Sequence, residues 1–263
     1  MGVLPTPCYV FSDVHLGFAS DGVHRQLLAF LRYLRSSAAA VVINGDLFEF
    51  WFEWETVIPR SSFRVLAGLA DLREAGIPVV MIAGNHDCWG GDVLRKDVGV
   101  DYRMEGWSGE IGPWRTRIEH GDGLRPDADR GYRAIKPILR NPLAMRAYRL
   151  LPPDFATALA GGSSNASRTY AARDRGAGLR EAAGRVLAAN AEVDLLIYGH
   201  SHVPDLERVS ASQVYGNPGS WLDAPHFLRI TDERVALRRW EDSAESPDLN
   251  AFDRSAEKPL PKL

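Results

Sequence analysis

Five short motifs of aspartate, histidine, asparagine and glycine each follow a short apolar run, and no other feature constrains the chain as much. They are Asp13-Val14-His15, Gly45-Asp46, Gly84-Asn85-His86-Asp87, His120-Gly121-Asp122 and Gly199-His200-Ser201-His202. The runs before the first three, at 8–12 (CYVFS), 40–44 (AVVIN) and 78–83 (PVVMIA), are short and mostly β-branched, so they read as buried strands. Between them, residues 23–35 and 61–75 carry Leu, Phe and Ala at helical spacing, and Gly76-Ile77-Pro78 ends the second stretch. This is a βαβαβ start, and an open α/β sheet binds ligands at the carboxyl ends of its strands. Residues 114–119 alternate as a half-exposed strand does, and 195–198 (LLIY) resumes the sheet. Strand-like stretches follow at 206–210, 213–215, 226–230 and 235–240.

A chain of 263 residues, 45% hydrophobic and 25% charged, excludes a mainly disordered or fibrous protein. Two cysteines, Cys8 and Cys88, make no disulfide framework and point to a reducing compartment. No apolar run reaches the ~20 residues that span a bilayer. Pro5 and Pro7 stand where a secretory leader needs an apolar stretch, so a cytoplasmic location is expected.

The net charge of −3 conceals an uneven distribution. Residues 123–190 hold twelve Lys and Arg against five Asp and Glu, which leaves 19 and 29 elsewhere from totals of 31 and 34. A basic segment is set into an acidic body, and its field attracts phosphate, nucleic acid or an anionic membrane surface. Within it, helices are expected around 131–139, 143–150 and 179–189, broken by prolines and by Gly161-Gly162. The segment at 124–190 therefore reads as a helical insertion in a domain covering 1–241. Residues 242–263 are polar and proline-containing and read as a mobile tail.

The motif residues have a common chemistry. Asp13 and His15, like His200 and His202, are two apart, so an extended strand end turns both to one side. Neighbouring glycines let the backbone come close to an ion. Imidazole, carboxylate and amide oxygen suit Mn, Fe, Zn or Mg, and six or seven such ligands exceed what one catalytic ion with open positions accepts. They suit two ions ~3.5–4 Å apart that share a carboxylate, activate a bridging hydroxide and clamp an in-line phosphoryl displacement.

The ordered set resembles the calcineurin-like metallophosphoesterase superfamily across roughly residues 9–240. That resemblance implies an α/β fold, a four-layer αββα sandwich with the metals at the strand ends. It implies that Asp13, His15, Asp46 and His202 hold one ion, and that Asp46, Asn85, His120 and His200 hold the other. His86 is then the histidine beside the phosphoryl oxygens, and Asp87 its orienting partner. Gly45-Asp46-Leu47-Phe48-Glu49-Phe50-Trp51 is similar to the same stretch in UDP-2,3-diacylglucosamine diphosphatases of lipid A synthesis, as is His120-Gly121-Asp122-Gly123 with Asp129 and Tyr132. The family reaction is attack of a metal-bound hydroxide on phosphorus, giving UMP and 2,3-diacylglucosamine 1-phosphate, with manganese the usual activator.

By the same resemblance Asp129, Tyr132, Ser164 and Arg168 are substrate contacts, and the insertion is a lid. Its apolar residues, interleaved with arginines, either face an acyl chain and the inner face of the membrane or pack the insertion onto the body, and both can hold. Phe48, Phe50, Trp51, Phe52 and Trp54 read either as packing at the sheet edge or as contacts to that lid. His86 stands where the best-known members carry arginine. This keeps open a phosphodiesterase or phosphatase for a soluble nucleotide or nucleic acid end. No obligate protein partner is evident, and a complete ligand set argues against a purely nucleic-acid-binding module.

Overall fold

The structure, a computed structural model, describes residues 2–125, 129–159 and 174–254. Two sheets pack face to face. One has the order β1 (Gly2–Leu4), β6 (Trp107–Ile111), β7 (Trp114–Ile118), β8 (Leu195–Ile197), β10 (Val214–Asn217), β9 (Asp205–Arg208). The other runs β13 (Ala244–Glu245), β12 (Arg234–Glu241), β11 (His226–Ile230), β2 (Cys8–Phe11), β3 (Ala40–Asn44), β4 (Val79–Ile82), β5 (Asp101–Arg103), with β14 (Asn250–Asp253) also pairing β12.

Alternation along the central strands explains why they read as continuous apolar runs: both faces are buried. Tyr9, Phe11, Val41, Ile43, Val79 and Met81 face α1 (Asp21–Ser37) and α2 (Phe63–Glu74). Val10, Val42, Val80 and Ile82 meet Trp107, Trp114, Ile118, Leu195 and Ile197 of the second sheet. On that sheet's far side, Leu196, Tyr198 and Tyr215 pack on the helix Ala177–Ala189 through Leu179, Ala183 and Leu187. The layers are helix, sheet, sheet, helix, as expected. Ser20 starts α1 by accepting the amide of Val23, and Leu27, Phe30, Leu31 and Leu34 give the helix its buried face.

Of the segment 124–190 read as an insertion, α3 (Arg130–Leu139) and α4 (Pro142–Arg149) stand outside the layers, whereas the Ala177–Ala189 helix packs on the second sheet and is a layer of the sandwich. Phe50, Phe52, Trp54 and Trp89 pack against Tyr148, Leu151 and Ala156. The indole N–H groups of Trp54 and Trp89 donate to the carbonyls of Leu151 (3.2 Å) and Leu139 (2.5 Å). Phe48 and Trp51 lie instead in the main core, stacked 4.6 Å apart. The aromatic stretch thus serves both readings given above.

The tail expected from residue 242 onward is a correction. Through Arg254 the chain turns back and adds β13 and β14 to β12. Its hydropathy is low because charge pairs and an acceptor group replace apolar burial. Arg234 pairs with Asp248 and Asp253, and Arg238 with Asp248 and Glu245. The Glu245 carboxylate also accepts the hydroxyls of Tyr9 and Tyr33, both at 2.6 Å. Burial raises its pKa, but these donors outweigh burial and hold it below the ordinary 4.5.

Glu245→Ala leaves two tyrosine hydroxyls and Arg238 without their acceptor, and is expected to lower stability by roughly 2–3 kcal/mol. A carboxyl held low in the fold stabilises above about pH 4.5 and loses that contribution as pH falls through its folded value. Urea titrations of both proteins at pH 7 and in acid check this: the gap between them should be full at pH 7 and shrink in acid.

Candidate metal centre

The motif loops leave the sheets together, and their backbone explains how. Asp13, His15, Asp46, His200 and His202 all have positive φ, between 52° and 62°. The extended strand end expected for the Asp-x-His pairs is therefore corrected: the side chains converge because each residue sits in the left-handed region. That region is sparsely used by residues with a Cβ and costs of order 1–3 kcal/mol each. Adjacent amides and carbonyls hold it there. Asp13 N–H donates to Gly45 O (3.1 Å), and Val14 and His15 N–H both donate to Asp46 O. Two glycines are required by close approach. A Cβ on Gly84 would lie 2.0 Å from Asp46 Oδ1, and one on Gly45 would lie 2.3 Å from His120 Nδ1.

Three clusters result among the described residues. Two of them, Asp13 with His15 and His202 and Asp46 with His120 and His200, consist of expected ligands, each offering a donor atom within 4.8 Å of the others; the third, His15 with Glu49 and His86, shares His15. Within them His15 Nε2 is 3.1 Å from His202 Nε2, His202 Nε2 is 3.4 Å from Asp13 Oδ1, and His120 Nε2 is 3.2 Å from Asp46 Oδ2. The tautomers of two histidines follow from their other nitrogens. His120 Nδ1 donates to Asn44 O (2.8 Å) and His15 Nδ1 to Glu49 Oε2 (3.1 Å), leaving each Nε2 a lone pair.

These residues fit divalent cations. Asp13 Oδ1, Asn85 Oδ1 and His120 Nε2 are buried and lack a well-formed hydrogen bond among the described residues. Buried polar atoms are otherwise nearly always paired. Burial raises the pKa of Asp13 and of Asp46, yet the imidazoles around them outweigh it. His202 and His120 bring Asp13 below its ordinary value, and His120 and His86 bring Asp46 well below. Ionised carboxylates, an amide oxygen and imidazole nitrogens form the hard donor set of Mg, Mn, Fe or Zn sites.

Around this set three residues differ from expectation. Asp87 does not touch the His86 ring. Its carboxylate accepts the amides of Gly84 (2.8 Å), Leu47 (2.8 Å) and Asp46 (3.3 Å), and so ties the second motif loop to the third. The His86 ring is held instead by Glu49, whose carbonyl accepts its Nδ1–H at 2.9 Å. Glu49, not singled out in the sequence, thus orients His15 with its side chain and His86 with its backbone. Its one sequence signal was an acid three residues after Asp46 in a stretch otherwise aromatic and apolar.

Asp129 is buried, and Arg125, His200 and two backbone amides engage its carboxylate. Tyr132 lies on α3 under the ammonium of Lys136, 5.6 Å from its ring centre. Ser164 and Arg168 lie outside the described residues. Asn217, of the Asn-Pro-Gly-Ser turn, donates to Gly199 O and Ser201 Oγ, while Ser220 Oγ donates to Asp13 O. The turn is a brace for the fifth motif.

Glu49→Ala frees the His15 ring and removes the acceptor that sets its tautomer. It is expected to weaken divalent-cation binding by roughly 10–100-fold, with Glu49→Gln in between, as read by calorimetric titration with Mn²⁺.

The calcineurin-like phosphoesterase family model matches residues 6–204. A UDP-2,3-diacylglucosamine hydrolase of Porphyromonas gingivalis is 33% identical over 216 residues, covering 74% of this chain and 82% of that protein. One of Pectobacterium carotovorum is 26% identical over 231 residues, covering 86% and 95%. Among solved structures, a dimetal phosphatase of Danio rerio aligns at a TM-score of 0.48 and 12% identity, over 94% of this chain and 98% of that one. With the family model spanning most of the chain, this protein belongs to the calcineurin-like phosphoesterases and is a metal-dependent hydrolase.

Proposed function

We propose that the protein hydrolyses the pyrophosphate bond of UDP-2,3-diacylglucosamine, giving UMP and 2,3-diacylglucosamine 1-phosphate. The carrying observation is the juxtaposition of the two donor clusters with an insertion that is basic and apolar at once. A diphosphate with two acyl chains needs cationic charge at one end and an apolar surface at the other. On the insertion Ile135, Ile138, Leu143, Leu150 and Phe155 are exposed, Leu150 to 85%, and Arg130, Arg133, Arg146 and Arg149 lie among them in sequence. The names of the relatives support the same substrate.

In this reading Asp13, His15, Asp46 and His202 hold one ion, and Asp46, Asn85, His120 and His200 the other, with Mn²⁺ the expected metal. When bound, such ions supply Lewis-acid charge to the phosphoryl oxygens and lower the pKa of water. The chain's own groups do the rest. The Nδ1–H of His86 is committed to Glu49 O, so Nε2 is the nitrogen that carries a proton to, or shares one with, a phosphoryl oxygen. The insertion excludes water from the site and takes the acyl chains, and Tyr132, Ser164 and Arg168 contact the substrate. The same exposed apolar and basic surface seats the protein on the inner face of the cytoplasmic membrane. No helix among the described residues is long and apolar enough to cross a membrane.

The test is product analysis with the diacylated UDP-sugar beside a soluble nucleotide phosphodiester, each with Mn²⁺ and with chelator. UMP is expected from the first, turnover is lost with chelator, and Mn²⁺ restores it. Asp46→Ala is expected to abolish turnover with the fold intact. His86→Ala is expected to lower kcat about 10²–10³-fold with metal binding unchanged. Faster turnover of the phosphodiester would transfer the assignment to a soluble-nucleotide phosphodiesterase, the reading that His86 in the arginine position keeps open.

A further inference from the structure

Asp129 has a place in the protein that a substrate contact would not have. It is 3% exposed, and both carboxylate oxygens are engaged inside the chain. Oδ2 accepts the amides of Gly123 (3.1 Å) and Arg125 (3.0 Å). Oδ1 accepts Arg125 Nε (3.0 Å) and Nη2 (2.7 Å) and lies 3.1 Å from His200 Nε2. Arg125 is buried too, and its Nη2 is also 3.1 Å from His200 Nε2.

This geometry poses a choice for His200. A neutral imidazole has one N–H, and Nε2 faces a carboxylate acceptor and a guanidinium donor at the same distance. If the ring accepted from Arg125, its proton would sit on Nδ1, and the other nitrogen would have no lone pair to offer. If it donates to Asp129, Nδ1 is the donor atom. The ligand role decides. Arg125 Nη2 has two protons and serves the carboxylate at 2.7 Å whichever tautomer the ring takes. With Nε2 turned to this pair, only Nδ1 is left for an ion, and a ligand nitrogen needs its lone pair; the ring proton then sits on Nε2 and goes to the Asp129 carboxylate.

We propose that Asp129, itself held by Arg125, is a positioning residue that fixes His200 as an Nδ1 ligand of the second ion. The proposal rests on the dimetal reading above. It replaces substrate contact as the role of Asp129. It also joins the insertion to the centre from both sides. Arg125 Nη1 lies 3.6 Å from Asp174 Oδ2, and Asp174 Oδ1 accepts the amide of Gly176 just before the Ala177–Ala189 helix. Residues near both ends of the insertion thus meet at Arg125, beside one histidine of the centre.

The experiment is calorimetric titration of the full chain with Mn²⁺, with steady-state kinetics on the diacylated UDP-sugar alongside. Asp129→Ala is expected to leave one ion's affinity unchanged and weaken the other roughly 10–100-fold. Saturating Mn²⁺ then restores kcat at an unchanged KM. Two ions bound as in the wild type, with KM raised, would overturn the proposal and return Asp129 to substrate binding.

If Asp129→Ala does not fold, Arg125→Met with Asp129→Leu removes the buried pair together and leaves no lone charge. In ¹⁵N-histidine spectra of the metal-free protein, His200 is expected as a single Nε2–H tautomer in the wild type and as a mixture in this variant. An identical tautomer in both sinks the idea. A wild-type chain that takes up only one ion would overturn the dimetal reading itself, before any substitution is made.

Discussion

Two carboxylates buried side by side, Asp13 and Asp46, are the constraint on which the rest depends. Neither has appreciable contact with water, and an isolated buried carboxylate costs several kcal/mol. The chain answers with imidazoles from four of the five motif loops and with amides aimed at the oxygens: His200 N–H at Asp13 (3.1 Å) and His86 N–H at Asp46 (3.0 Å). Aiming them requires the left-handed backbone at five of the seven ligand positions. Strain of that kind persists only where its surroundings over-determine it, and here the bracing comes from Asp87, Asn217 and Ser220. Among the described residues Asp13 Oδ1, Asn85 Oδ1 and His120 Nε2 are left without a well-formed hydrogen bond, and they are atoms a cation would take.

The sandwich makes this possible because its sheets leave no freedom to the strand ends. Each central strand of the α1 and α2 sheet is locked on one face by those helices and on the other by the second sheet. The motif loops begin from β2, β3, β4, β7 and β8 within that frame. The active groups sit on short loops, but every loop starts from a strand that cannot shift without opening a core.

Much of this was legible in the sequence, for definite reasons. The strands of the first half were plain because burial on both faces leaves an unbroken apolar run, as in Ala40–Asn44. The candidate ligands could be picked out because Asp, His and Asn rarely collect at strand ends without a chemical task. β1, β6 and β5 were missed, being short or interrupted by polar residues. β14 was missed because Arg234 and Asp253 hold that edge by charge. The orienting acid of His86 was missed because proximity in sequence favoured Asp87. In space, Asp87 meets backbone amides and Glu49 arrives from another loop. Sequence marks which residues carry chemistry better than it marks which residues hold them.

The insertion is joined to the body in two chemically distinct ways, and the difference bears on how it works. At its outer part the contact is aromatic. Trp89 and Trp54 donate to the carbonyls at the end of α3 and just past α4, groups that a helix end leaves without internal partners. Packing and capping are thus performed by the same two side chains, and the helices are held where their remaining faces stay exposed and apolar. At its base the contact is ionic and ends on His200 through Arg125 and Asp129. An insertion anchored this way fixes its own height above the centre. The distance between the motif loops and the exposed apolar surface is then a property of the fold.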